Sequence, residues 1–339
     1  MTGWQESALA RLLEDTVGTQ RTDSLQGLLA VPPELLTPMA GPVPRAVLAM
    51  AMDLLLFEDL LRRVPYGGLY VQQQQREGRR IVYDHGALRT VKAPSGALPP
   101  GHLAFARLLE PLGYRVNGVY PLEGLAMTGY AYAHLDLPEA LPQFFVSELH
   151  PERFSEGFQA TAARILASSR DPLPTWAQPL LQALQERQEL PYDAARRLLP
   201  DLVACFDRQH EVPALRDYQS LLEESAEMAW IATEGNAFNH ATDRVDDVAA
   251  LAEAQKTLGR PMKDTVEVSA SGRVLQTAYR AAMVERPFVA ADGGVVLRTV
   301  PGSFFEFITR KPEGEGRLDL RFDAGNAQAI FKMTATEWC

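Results

Sequence analysis

The stretches YDHGALRTV (residues 83–91) and FNHATDRVDDV (residues 238–248) share one pattern, a histidine followed four positions later by an arginine: His85 with Arg89, and His240 with Arg244. Both histidines follow a residue whose side chain carries a carboxylate or an amide, Asp84 or Asn239, and both stretches run through a valine, Val91 or Val245, toward a helical pattern. A chain with six histidines produces such a pair by accident often enough that spacing alone proves little. The shared surroundings carry the inference: the chain holds a duplicated module with a histidine at equivalent points of both copies.

Working outward from the first stretch, RRIVYDHGALRTV reads as extended, as does GGLYVQQQQ (67–75), with the turn-prone pair Glu77 and Gly78 between them. A short helix is expected at about His102 to Leu112, then strands at Tyr114 to Tyr120, Met127 to His134 and Gln143 to Glu148, which makes residues 66–150 a βαβββ unit. The second copy, 231–339, repeats the order with a helix in VDDVAALAEAQKTLG and strands at Thr265 to Val268, Val274 to Val284, Val295 to Thr299 and Phe304 to Thr309. Between the copies, 151–230 contains four amphipathic helical segments broken by Pro172, Pro174, Pro191 and Pro213, a helical insertion. Residues 1–65 are also helical, with Leu9, Leu12 and Leu13, then Leu48, Met52, Leu55 and Leu56, at helical spacing. The expected class is α+β: duplicated βαβββ modules, N-terminal helices and a helical insertion. The ends of the two copies echo each other, FFVSEL against FFEFIT, so that Glu148 and Glu306 fall in comparable places. Their offset of two residues keeps the face of a strand.

Composition narrows the function. With 46% hydrophobic residues the 339-residue chain can bury a substantial core, and a net charge of −10 without a basic tract argues against nucleic acid or an anionic membrane as partner. The apolar run Ala46 to Phe57 is short and interrupted by Asp53, a buried helix and not a membrane span. Two cysteines, Cys205 and Cys339, suggest neither a disulfide framework nor a thiolate site. A soluble, cytoplasmic protein is expected, and any metal in it must use nitrogen and oxygen ligands.

Glu306 lies within FFEFI, whose apolar neighbours predict burial, and a buried carboxylate is costly unless paired or metal-bound. Together with His85 and His240 it makes two imidazoles and one carboxylate, the set that holds non-haem Fe(II) with positions left open for substrate and O2. A structural ion pair with Arg310 or another arginine is the competing reading for Glu306, and a satisfied polar residue of a half-buried sheet is the competing reading for each histidine. On a continuous strand, Arg89 shares a face with His85, so its guanidinium could clamp a carboxylate beside the metal. Arg244 bears the same relation to His240, but Asp243, Asp246 and Asp247 offer it local partners. Asp84, Asn236 and Asn239 are candidates to orient the imidazoles or bond the substrate. His102, His134, His150 and His210 read as surface or helix residues.

At these residues the chain resembles the 2-oxoadipate dioxygenase/decarboxylase family, related to the vicinal oxygen chelate (glyoxalase-like) superfamily. The stretches that carry the resemblance are YDHGALRTV, GNAFNHATDRV, PGSFFEFITRK and the C-terminal FDAGNAQAIFKMT. It implies His85, His240 and Glu306 as ligands of one Fe(II), Arg89 holding a carboxylate of a 2-oxo acid, and a curved, barrel-like mixed sheet around the metal. The implied reaction consumes O2 and takes 2-oxoadipate to 2-hydroxyglutarate and CO2, a step of lysine catabolism. Asn239 and Arg244 are further substrate-binding candidates. The N-terminal helical segment departs from the family's best-known members, and the pocket's distal end, which measures the oxo acid, is left unassigned.

Two other functions fit parts of this pattern. A glyoxalase-like isomerase or lyase would polarise a carbonyl without O2, and Glu148 as a fourth protein ligand would favour it. A metal-free small-molecule-binding protein on the same scaffold would need no convergent ligands.

Overall fold

The computed structural model describes residues 2–38 and 41–331. Its centre is a curled mixed sheet of eight strands: β1 (Tyr83–Val91), β2 (Tyr114–Leu122), β3 (Met127–His134), β4 (Gln143–Leu149), β5 (His240–Arg244), β6 (Glu267–Val268), β7 (Val274–Ala278) and, after a two-stranded ribbon of β8 (Met283–Val289) and β9 (Val295–Pro301), β10 (Phe304–Arg310). The order across the sheet is β2-β3-β4-β1-β5-β10-β7-β6. Each half is a strand, a helix and three more strands, with the first strand parallel to the last (β1 with β4, β5 with β10). The halves meet along the antiparallel pair β1 and β5. The α+β class and the repeated βαβββ order are those the sequence predicts.

The two innermost strands are buried along almost their whole length, because helices cover one side. The helix Arg45–Arg63 is buried on all sides through Phe57 and packs into the main core, where its Phe57 meets Tyr83 and Phe305. Asp53, inside that helix, is fully buried, its carboxylate accepts a hydrogen bond from Tyr114 Oη at 3.2 Å, and burial raises its pKa. In the insertion the last expected segment divides at Ser225, whose side chain caps the helix Ala226–Glu234 by accepting from Met228 N.

Three local readings differ from the sequence expectation. Residues 67–75 are helical within Pro65–Arg76, not extended. Pro65 begins the helix where its missing N–H costs nothing, and Gly67, Tyr70, Val71 and Gln74 form one buried stripe. A Cβ at Gly67 would lie 2.9 Å from the Phe305 ring, so the glycine that suggested a turn lets the helix lie on β10. The run Val274 to Val284 is two strands, since β8 leaves the sheet and pairs along its length with β9.

The third difference concerns His134 and His210, which are buried rather than superficial. His134 Nε2 donates to Leu112 O at 2.9 Å while its Nδ1 accepts from the amides of Asp136 and Leu137, so a second proton would face two donors. His210 Nε2 donates to Ala232 O at 2.9 Å. Burial pushes both imidazoles down to a pKa of about 4; for His134, Asp136 opposes the shift and Arg45 adds to it. Because the folded pKa is below the unfolded value, the unfolded chain binds more protons at mildly acidic pH. The stability tied to each neutral ring is therefore present above the unfolded pKa of about 6.5 and lost as pH falls through that window, on the order of 3 kcal/mol per histidine at its limit. The melting temperature of His134→Asn, which keeps an acceptor but cannot titrate, should fall less steeply between these pH values than that of the wild type. Parallel slopes would show that His134 does not titrate in this window.

Candidate metal centre

The seam between the halves sets the site. On β5, Thr242 lies opposite His85 of β1 on one side and opposite Glu306 of β10 on the other, and His240 is two residues earlier on the same face. Alternation therefore aims His85, His240, Thr242 and Glu306 at one point from three adjacent strands. His85 Nε2 is 3.2 Å and His240 Nε2 is 3.0 Å from Glu306 Oε2, and the two Nε2 atoms are 3.4 Å apart. Thr242 Oγ1 donates to Glu306 Oε2 at 2.6 Å. All three candidate ligands are buried.

Asp84 occupies a β-bulge: Tyr83 pairs with Asp243 and His85 with Thr242, leaving Asp84 as the extra residue. The bulge brings two consecutive side chains together, and Asp84 Oδ1 lies 2.8 Å from His85 Nδ1. A carboxylate only accepts, so Nδ1 carries a hydrogen and Nε2 is the atom left facing the centre, its lone pair available to a metal once the proton it shares with Glu306 is displaced. Arg310, four residues beyond Glu306 and fully buried, donates three hydrogen bonds of 2.9–3.1 Å to Asp84. The competing reading that pairs Arg310 with Glu306 thus fails: Arg310 takes Asp84, and Glu306 faces the imidazoles.

Electrostatics follow from this. Burial would raise the pKa of Asp84, but Arg310 and His85 outweigh it and hold the carboxyl well below the usual range. Burial also opposes ionisation of Glu306, and here His240 and His85 win, again lowering the pKa. His85 is raised because its bonds to Asp84 and Glu306 overcome desolvation, whereas burial lowers His240. Among the described residues, Glu306 Oε1 and His240 Nδ1 have no hydrogen-bond partner. Two imidazole nitrogens and a carboxylate oxygen crowded around one point call for a cation, and this donor set fits a divalent first-row metal.

Glu148 is not a fourth donor. Gln143 on β4 pairs with His85 as Phe304 on β10 pairs with His240, so the position equivalent to Glu306 is Phe145, two residues beyond Gln143. Aligning the two aromatic pairs in sequence shifts the register by one, which turns Glu148 to the other face. There its Oε2 accepts from His102 N and lies 2.9 Å from His102 Nδ1.

The remaining expected residues divide. Arg89 is completely buried, lies over the Trp230 ring at 4.9 Å and is shifted to a pKa of about 10 by burial against the opposing charge of Glu227. Asn236 Nδ2 donates to the Arg89 carbonyl at 3.0 Å. A cavity of about 20 Å³ beside the ligands is lined by Ala87, Phe145, Gln276, Phe322, Asp323 and Ile330 in addition to the triad. Arg89, Asn236, Asn239 and Arg244 do not line it. Arg244 lies 3.8 Å from Asp84 and donates to the Glu139 carbonyl, neither of them the aspartates near it in sequence. Thr242 and Gln276 were missed although strand alternation marks Thr242. Phe322 has no such signal, since it comes from an irregular segment.

The sequence profile of a family described as 2-oxoadipate dioxygenase/decarboxylase matches residues 56–327. An Arabidopsis thaliana protein named 2-oxoadipate dioxygenase/decarboxylase, chloroplastic, is 28% identical over 146 residues, 38% of this chain and 39% of that protein. Among solved structures, a protein from Ralstonia eutropha JMP134 assigned to the glyoxalase superfamily is 55% identical, with 94% of this chain and 99% of that one covered and a TM-score of 0.90. Hydroxyglutarate synthase from Oryza sativa, solved in complex with 2-oxoadipate, shares the fold at 20% identity, covering 89% of this chain and 97% of that one with a TM-score of 0.67.

Proposed function

Because the chain belongs to the 2-oxoadipate dioxygenase/decarboxylase family, we propose that it binds one Fe(II) through His85, His240 and Glu306 and decarboxylates a 2-oxo acid with O2. The substrate to which this reading commits is 2-oxoadipate, which with one O2 gives 2-hydroxyglutarate and one CO2, a reaction of lysine breakdown. One observation supports it above the others: three convergent donors come from two halves of a sheet, and a phenyl ring, Phe145, stands where symmetry would place a fourth. That set leaves coordination positions for the oxo acid and O2.

The protein's own groups hold and shield the reaction. Asp84 and Arg310 fix the ring of His85, and Thr242 fixes Glu306. Arg89, on the face of β1 that carries His85 and separated from it by the small Ala87, supplies a fork for a substrate carboxylate. Phe145 and Phe322 restrict water at the cavity wall. Fe(II), when bound there, would supply open positions and one-electron redox chemistry for O2, while the net electrons come from the oxo acid. Anaerobically Fe(II)-loaded protein given 2-oxoadipate should consume O2 and release CO2 and 2-hydroxyglutarate in equal amounts. A metal-loaded protein that takes up no O2 with this or with shorter and longer 2-oxo acids would overturn the oxygenase reading in favour of redox-silent, glyoxalase-like chemistry.

A further inference from the structure

The segment 318–331 crosses the mouth of the candidate centre. Phe322, Asp323 and Ile330 from it line the cavity, Phe322 stands edge-on to His85 with ring centroids 4.8 Å apart, and the cavity of about 20 Å³ is too small for a six-carbon dicarboxylate. Entry of such a substrate therefore requires this strap to shift.

The strap is held by groups that also belong to the centre. Arg310 Nη1 donates to the carbonyls of Asp319 at 2.7 Å and Arg321 at 2.8 Å, while Nε and Nη2 of the same guanidinium hold Asp84. Asp84 in turn fixes His85. The guanidinium also lies over the Phe322 ring at 5.2 Å. Further bonds seat the strap, among them Gln143 Nε2 to Leu320 O at 3.1 Å, Phe322 N to Tyr120 Oη at 3.0 Å, Ala270 N to Asp323 Oδ2 at 3.1 Å and Arg273 Nε to Asp319 Oδ2 at 3.1 Å; of the residues that make them, Gln143 also borders the centre, through its backbone pairing with His85. Arg310 makes side-chain bonds both to the strap and to the carboxylate that fixes His85.

We propose that Arg310 is a positioning residue that couples the seated strap to the orientation of His85. With the strap down, the two carbonyls and Asp84 use the planar fork fully, and Asp84 holds the imidazole with Nε2 toward the metal. With the strap lifted, the fork loses two acceptors and its hold on Asp84 loosens. Metal binding and strap seating then favour each other, and by linkage each strengthens the other equally. This inference rests on the metal-centre reading but not on the dioxygenase reaction.

Co(II) titration followed by its visible absorption, with amide hydrogen exchange of 319–331 measured with and without Co(II), tests it without turnover. In the wild type Co(II) should slow exchange in the strap. Arg310→Lys, which keeps the charge but not the fork, should bind Co(II) at least tenfold more weakly and lose the metal-dependent slowing while keeping a cooperative melt. Asp84→Asn breaks the same link from the other side, should also lose the slowing, and decides the matter if Arg310→Lys does not fold. A wild type that binds Co(II) without slowing the strap, or an Asp84→Asn variant that retains full slowing, overturns the coupling and leaves the metal centre standing. A wild type that binds no Co(II) overturns both.

Discussion

His240→Ala should give a folded protein that no longer retains its metal and has lost turnover. His240 is one of three donors and its Nε2 lies 3.0 Å from Glu306 Oε2; of the carboxylates close by, Asp84 is engaged by Arg310, and Asp323 at the cavity wall accepts from the amides of Ala270 and Asn326. Because a donor itself is removed, the loss of affinity should exceed the 10–100-fold typical of removing an outer partner of a metal ligand. The fold should survive because β5 keeps its backbone ladder to both β1 and β10, and Glu306 keeps the hydrogen bond from Thr242. Glu306→Gln is the companion variant: it preserves shape, removes the anion and should release the metal as well. Metal content after gel filtration, read beside the melting temperature, checks both. Wild-type metal content in His240→Ala would show that the ligand set is wrong.

Arg89→Ala should keep the metal and raise KM for the oxo acid. Hydrogen bonds to a charged group are worth roughly 1.5–3 kcal/mol, so loss of the clamp should lower kcat/KM about 10- to 150-fold, mostly through KM. The substitution also vacates a large buried volume and removes the contact with Trp230, so the melting temperature should fall. Arg89→Lys separates the two effects, since it restores much of the packing but not the planar fork. If both variants lower stability and leave KM unchanged, Arg89 is a core residue and the substrate's carboxylate is bound elsewhere.

Much of this architecture is legible in the sequence because both signals involved are periodic. The repeated histidine pattern marks the first strand of each half, and amphipathic spacing marks the insertion's helices. Three features escape such reading. The bulge at Asp84 breaks the alternation that would put Asp84 and His85 on opposite faces, so their contact is visible only once β1 is paired with β5. FFVSEL and FFEFIT look alignable by their aromatic pairs, yet the hydrogen-bond register is displaced by one, and that moves Glu148 away from the centre. The first part of the strap, 318–323, is irregular and carries no period, and its place over the cavity depends on Arg310, Gln143 and Tyr120, residues remote from it in sequence or on other elements.

The near-symmetry of the two halves also bears on descent. If one ancestral βαβββ unit was copied, the site began with the same face presented twice, and each copy has since been free to drift because the other could retain what the pair required. Phe145 and Glu306 mark that division of labour: one descendant keeps the acid and the other has a hydrocarbon ring in the equivalent slot. The character of the centre, open on one side or closed by protein on all sides, is then inherited at a single codon of the first copy. Related chains can be sorted by what they carry there before any of them is assayed.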